Sequence, residues 1–207
     1  MVSSIVDKDG IFECRKSKQG ENAGSGVFCS QDVKAGTILP YYGITISDDV
    51  EEDDDTSINS RDKYCRTYVI SADYCTKYGT RRTAKGLSVD GDPRLPRIQK
   101  LREYKKLACQ INEASEGCLP NCLLTTNPRI SRADINRSLL KKVPIPIAYV
   151  VVLEDLPNGT ELLTFYGKEF GDRAYSSCKM NRRTHRQLAD KAYAHVDALP
   201  KQTNFNT

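Results

Sequence analysis

At 207 residues, 39% of them hydrophobic and 28% charged, the chain is long enough for one well-buried domain and has an ordinary soluble-protein composition. No apolar run approaches transmembrane length and residues 1–20 hold no signal-peptide core. This argues against a membrane or secreted protein and for a reducing compartment. The net charge of +4 is mild but unevenly spread. Residues 48–55 (DDVEEDDD) hold seven acids, whereas residues 77–106 hold ten Lys or Arg against three acids and residues 168–207 hold eight against four. The acidic run reads as a solvated loop; the longer basic stretches leave a solvated surface and a binding face equally open. Eight cysteines without a C-x-x-C pair read as reduced side chains packed as small hydrophobes, not as a disulfide or metal framework.

Along the chain, residues 1–23 are polar, and Ile11-Phe12 marks a short first strand. Residues 20–26 (GENAGSG) form a small-residue turn of the kind that brings main-chain N–H groups close to a ligand. Val27-Phe28-Cys29 is the next strand, residues 32–36 a tight turn, and residues 37–46 (TILPYYGITI) a β-branched and aromatic strand broken at Pro40 and Gly43. Beyond the acidic run, residues 66–71 and 87–90 are short strands around a Gly/Thr/Arg linker. Residues 95–108 change to a helical period, with Ile98, Leu101, Tyr104, Ala108 and Ile111 on one face and Pro96 in the first turn. Residues 121–126 and 144–154 return to strand, and Val150-Val151-Val152-Leu153 is apolar enough for burial on both faces. Residues 155–159 are a turn by composition, and residues 160–166 a closing strand. Short strands joined by turn-rich loops define a mainly β chain and not βαβ units. In the tail, Leu188, Ala192, Val196 and Leu199 recur at helical spacing before Pro200, forming a basic amphipathic helix. Residues 201–207 are expected to be disordered.

The stretch richest in chemistry is 108–122 (ACQINEASEGCLPNC). Ile111 leads into Asn112, whose amide offers both a donor and an acceptor and is suited to holding a heteroaromatic base. A small-residue loop follows, and Pro120-Asn121-Cys122 opens the next apolar run. This loop resembles the Ile-Asn-His-Ser-Cys-x-Pro-Asn-Cys core of the SET domain, the lysine methyltransferase family. Gly24-Ser25-Gly26-Val27-Phe28 is similar to that family's opening motif, and residues 159–167 (GTELLTFYG) to its closing motif, in the family's order. Tyr41-Tyr42-Gly43 resembles its Glu-Tyr-x-Gly. The chain also departs from the pattern. Glu113 replaces His, extra residues precede Cys118, Cys109 stands where Arg is usual, and Pro40 where Glu often stands. In place of a zinc-binding Cys-x-Cys segment after Tyr166 there is Cys178 alone.

The resemblance implies a SET-domain (β-clip) fold: mainly β, with small twisted sheets and a closing segment threaded beneath the Asn loop as a pseudoknot. The expected divisions are an N-terminal segment, 1–9, the SET domain, 10–167, and a basic helical segment and tail, 168–207, without zinc. It further implies methyl transfer from S-adenosylmethionine to a lysine side chain of a protein, a histone tail or another basic protein. The setting would be the nucleus or otherwise the cytoplasm. Tyr166 takes the place of the catalytic tyrosine and Tyr41 that of a tyrosine lining the active site, whereas Tyr42 reads as a plain sheet residue. Gly24, Ser25 and Gly26 would hold the amino-acid end of the cofactor. Asn112 and the main chain of Glu113 would hold its adenine and amino end, and Phe170 stands open between packing on the adenine and ordinary core packing. Thr164, two places before Tyr166, and Leu124 would shape a lysine pocket wide enough for an amine already carrying a methyl group.

With a free lysine pKa of about 10.4, deprotonation near pH 7 costs roughly 4.6 kcal/mol. Burial in a narrow channel, beside the cationic sulfonium, lowers that cost. Two other readings stand beside the enzyme. One is a SET-like domain without catalysis serving as an adaptor, for which Glu113, Cys109 and Pro40 argue. The other is a nucleic-acid-binding module built on residues 77–106 and the tail. It is disfavoured because the aromatics there are not interleaved as a stacking platform.

Overall fold

The computed structural model describes residues 4–6, 8–19, 23–47, 69–76, 78–166 and 180–199. Part of the glycine-rich turn, the acidic run, residues 66–68, Gly167, Phe170, Cys178 and residues 201–207 therefore lie outside the described residues. The architecture is mainly β with a C-terminal helix, as the sequence predicts. In chain order the strands are β1 (Ser4–Ile5), β2 (Phe12–Lys16), β3 (Ser25–Cys29), β4 (Thr37–Ser47), β5 (Val69–Cys75), β6 (Arg81–Asp90), β7 (Asn112–Glu113), β8 (Cys122–Thr126), β9 (Ile145–Val152) and β10 (Leu163–Thr164). The helices are α1 (Pro96–Gln99), α2 (Glu103–Lys106), α3 (Arg132–Lys141) and α4 (Arg182–Asp197). One six-stranded sheet has the order β5-β6-β4-β9-β8, with β1 alongside β4, and β2-β3 and β7-β10 form two-stranded sheets. By contact the chain divides into two compact units, one of residues 1–39, 110–125 and 150–207, the other of residues 40–109 and 126–149.

In the first unit, β2 and β3 pair antiparallel from Phe12↔Cys29 to Lys16↔Ser25. The other edge of β3 takes the closing segment: Cys29 N–H donates to Thr160 O at 2.8 Å and Leu162 N–H to Val27 O at 2.7 Å. Val27, Phe28, Cys29, Ile111, Cys122 and Leu162 are buried there, as is all of Val150-Val151-Val152-Leu153. β1 was not anticipated. It is two residues long, runs parallel to the start of β4 with Ile5 opposite Ile38, and is followed by the buried Val6. Such a strand has no periodicity of its own and exists because β4 offers it an open edge. The tail helix α4 has an Asn181 cap whose side chain accepts from Thr184 N–H, and it buries Ala192 and Val196. Leu188 packs with Ala114, Leu163, Phe165 and Met180, which seats the helix on the closing segment.

In the second unit, β5 and β6 form an antiparallel hairpin, and β6 pairs with β4 from Ile44↔Asp90 to Ser47↔Leu87. Three expectations are corrected here. β4 runs without a break through Pro40 and Gly43. A side chain on Gly43 would strike Val89 and come within 2.9 Å of the Asp90 carbonyl, so this glycine marks a close approach of β6 and not a strand end. The linker between residues 71 and 87 is mostly strand, because β5 extends to Cys75 and β6 begins at Arg81. The helix expected over residues 95–108 is two single turns separated at Arg102, whose backbone is extended. Neither turn has a side-chain cap, and the bend between them still buries Ile98, Tyr104, Leu107 and Ala108. Helix α3 is an element beyond those the sequence pattern predicts. Ser131 and Asp134 form a reciprocal capping box at its start, and its Ser138 hydroxyl accepts from Thr45 N–H and donates to Val143 O.

Candidate active site

The first unit brings the three motif stretches together around one buried carboxylate, Glu161, which is 6% exposed. Its Oε1 accepts from the Ser17 hydroxyl at 2.6 Å and from Asn112 Nδ2 at 3.3 Å, and its Oε2 accepts from Lys18 N–H at 2.8 Å. Asn112 Nδ2 also donates to the Ser25 carbonyl at 3.0 Å. Gly26 lies against the same group, since a Cβ there would collide with Glu161 Oε1 and stand 3.1 Å from Asn112 Nδ2. Only a residue without a side chain lets β3 come this close. Glu161 stands inside the closing motif, where nothing in the local sequence marks it as buried.

The closing segment is held between the two ends of the Asn loop, which is the threading expected of it. On one side β10 pairs parallel with β7, Leu163 opposite Asn112 and Thr164 opposite Glu113, and Ala114 N–H donates to Thr164 O at 2.9 Å. On the other side the Asn121 side chain works in both directions. Its Oδ1 accepts from Leu163 N–H at 2.8 Å and its Nδ2 donates to Glu161 O at 2.8 Å. The Cys122 thiol adds a bond to the Leu163 carbonyl at 3.3 Å. Burial, with Cys29 close by, pushes the Cys122 thiol well above the usual range, and burial raises Cys29 to about 11. Both are inert packing thiols.

Tyr166 stands at the end of this segment, half-buried and held at both ends. Its hydroxyl donates to the Ile111 carbonyl at 2.6 Å, and its main-chain N–H donates to Glu113 Oε1 at 3.1 Å. Glu113 is fully buried and Thr164 is 6% exposed; Leu124 is half-buried on β8. Gly24 and Ser25 are exposed, Gly24 with a φ of +63° and nothing within 4 Å of where a Cβ would lie. Tyr41 belongs to the second unit, where it is buried with its ring against Gly91. Tyr42, half-buried in the same unit, is pushed up to about 12 by burial, with Tyr104 and Tyr149 adding to the effect.

In the first unit Gly24 and Ser25 are exposed and Asn112 is half-exposed, with nothing within 4 Å of where a Cβ on Gly24 would lie. Main-chain groups and an amide oxygen are donor and acceptor types that fit S-adenosylmethionine. Among the described residues, no cluster of three or more His, Cys, Asp or Glu could hold a metal ion. No helix among them is long and apolar enough to cross a membrane.

No family model matches the sequence, and no curated protein does. Among solved structures the chain is similar to a candidate histone methyltransferase of Plasmodium falciparum, at 16% identity and a TM-score of 0.40, covering 79% of this chain and 98% of that one. It is similar to the Neurospora SET domain protein DIM-5, a histone lysine methyltransferase, at 18% identity and a TM-score of 0.43, covering 81% of this chain and 56% of that one. It is also similar to Arabidopsis thaliana SUVH6, solved in complex with SAM, at 15% identity and a TM-score of 0.45, covering 83% of this chain and 32% of that one.

Proposed function

We propose that this chain is a SET-type protein-lysine methyltransferase, with Tyr166 as its catalytic tyrosine and a basic protein such as a histone as its substrate. The observation that carries the reading is the convergence in one unit of the Gly24-Ser25-Gly26 turn, Asn112 and Tyr166. They are tied together by the Glu161 carboxylate and by the threading of residues 161–164 between the ends of the Asn loop. S-adenosylmethionine, when bound, supplies a methyl group on a sulfonium, which passes to the lysine nitrogen with the thioether as leaving group. Such a displacement asks the protein chiefly for positioning. Gly24, Ser25 and the main chain around Glu113 bind and orient. The Tyr166 hydroxyl, directed by the Ile111 carbonyl, holds the amine after its proton has left to solvent. Main-chain carbonyls near the Tyr166 hydroxyl would accept weak C–H···O contacts from the polarised methyl.

Titration calorimetry with S-adenosylmethionine, followed by a radiolabelled-methyl assay on mixed histones, tests this. Saturable binding and label on lysine are expected; absence of binding overturns the reading. Binding without transfer favours the adaptor alternative.

A further inference from the structure

We propose that Glu113 is a positioning residue for Tyr166, an inference that rests on the methyltransferase reading and deepens it. Side chains of adjacent strand residues point to opposite faces, and the two-residue strand β7 uses both. Asn112 reaches to Ser25 and Glu161, while Glu113 reaches to the main-chain N–H of Tyr166 at 3.1 Å. The same strand pairs with Leu163 and Thr164, so Glu113 grips the closing segment twice, through the ladder and through its carboxylate. It does so at no exposure to solvent, where a carboxylate is costly unless hydrogen-bonded. An acceptor is needed because β10 ends at Thr164, which leaves the Tyr166 N–H beyond the ladder. With its N–H on Glu113 and its hydroxyl on Ile111, the tyrosine is fixed at both ends, and the two anchors flank Asn112 in the sequence. The position where this chain departs from the family's His is thus the position that aims its tyrosine.

The test uses the full chain with Glu113→Gln, whose amide oxygen can accept the same N–H, and Glu113→Met, similar in size with only a weak sulfur acceptor. Hydrogen exchange at the Tyr166 amide is read beside steady-state kinetics. Glu113→Gln is expected to keep the exchange rate within roughly threefold and most of the turnover. Glu113→Met is expected to speed exchange at Tyr166 roughly tenfold or more. It should lower kcat roughly tenfold, with KM for both substrates changed by less than about twofold. Unchanged exchange at Tyr166 in Glu113→Met overturns the proposal. Should Glu113→Met not fold, Glu113→Gln decides alone, and lost protection at Tyr166 in that variant overturns it. A wild-type chain that transfers no methyl group overturns the enzyme reading instead and leaves the exchange result standing.

Discussion

The Tyr166 hydroxyl donates to the Ile111 carbonyl across 2.6 Å, joining the last residue of the closing segment to the residue that precedes the Asn loop. Tyr166→Phe removes the donor and keeps the ring. The expected loss of stability is about 1 kcal/mol, the net worth of one such bond. The expected loss of single-turnover methyl transfer is roughly 100-fold, because a misplaced amine loses its alignment. Affinity for S-adenosylmethionine should stay within about twofold. A rate close to wild type would remove Tyr166 from the chemistry.

Glu161 is the acceptor that Ser17, Lys18 and Asn112 share. Glu161→Ala strands three donors at a buried site, and a loss of about 3 kcal/mol or more in urea unfolding is expected. Gly26→Ala attacks the same point from the other side, by driving a methyl into that carboxylate. Both variants should weaken cofactor binding before they abolish folding. If either binds S-adenosylmethionine like wild type, the Gly24–Gly26 turn is not part of the cofactor site.

Strands β4 and β9 are legible in the sequence because β-branched runs have few alternatives to a buried sheet. Helix α4 is legible because Leu188, Ala192 and Val196 repeat on one face. Glu161 is not, since a charged residue in a strand ordinarily reads as solvent-facing; only the donors brought to it from residues 17, 18 and 112 make burial tolerable. Helix α3 buries little besides Ile135 and Ser138, so its apolar stripe is too thin to detect. The Ser131-to-Asp134 spacing was the available signal. The Asn loop and closing segment are legible by pattern, whereas the role of Glu113 depends on where its side chain goes.

Stability should fall in alkali. Cys29 and Tyr42 are raised to about 11 and about 12, and Cys122 is raised as well, all chiefly by burial. Each is held neutral in the fold, while in the unfolded chain thiols ionise near about 8.5 and tyrosines near about 10. Their contribution is therefore complete below about pH 8 and is lost as pH rises toward the folded values, because the unfolded state releases protons first. Urea midpoints should be level from pH 7 to about 8 and decline from about 9 to 11. Cys29→Ala should flatten the first part of that decline. Among the described cysteines, alkylation at pH 8 should label Cys14 and Cys118, which are exposed, and reach Cys29 and Cys122 only at the rate of unfolding.

Thr164 lies two residues before Tyr166 and opposite Glu113 on β7. Its hydroxyl is buried without an oxygen or nitrogen partner among the described residues; the Cys122 thiol beside it is a weak one. On the proposed methyltransferase reading a small residue here would leave a lysine pocket room, and the expected products are di- or trimethyl-lysine, read by mass spectrometry of a peptide at exhaustive turnover. Monomethyl-lysine alone would refute the wide pocket. Thr164→Tyr fills the space a second methyl group needs, but at a site 6% exposed it also overpacks the core, at a cost of about 1–3 kcal/mol. A shift toward monomethyl-lysine in that variant counts only if its unfolding midpoint shows the fold intact. Thr164→Val separates the two effects, because it keeps the shape and discards the hydroxyl. Relieving a poorly paired buried oxygen should raise stability by about 1 kcal/mol. If that oxygen instead anchors a water where a further methyl group would sit, the same variant should move products toward trimethyl-lysine, whereas an unchanged distribution would leave pocket size as the sole control.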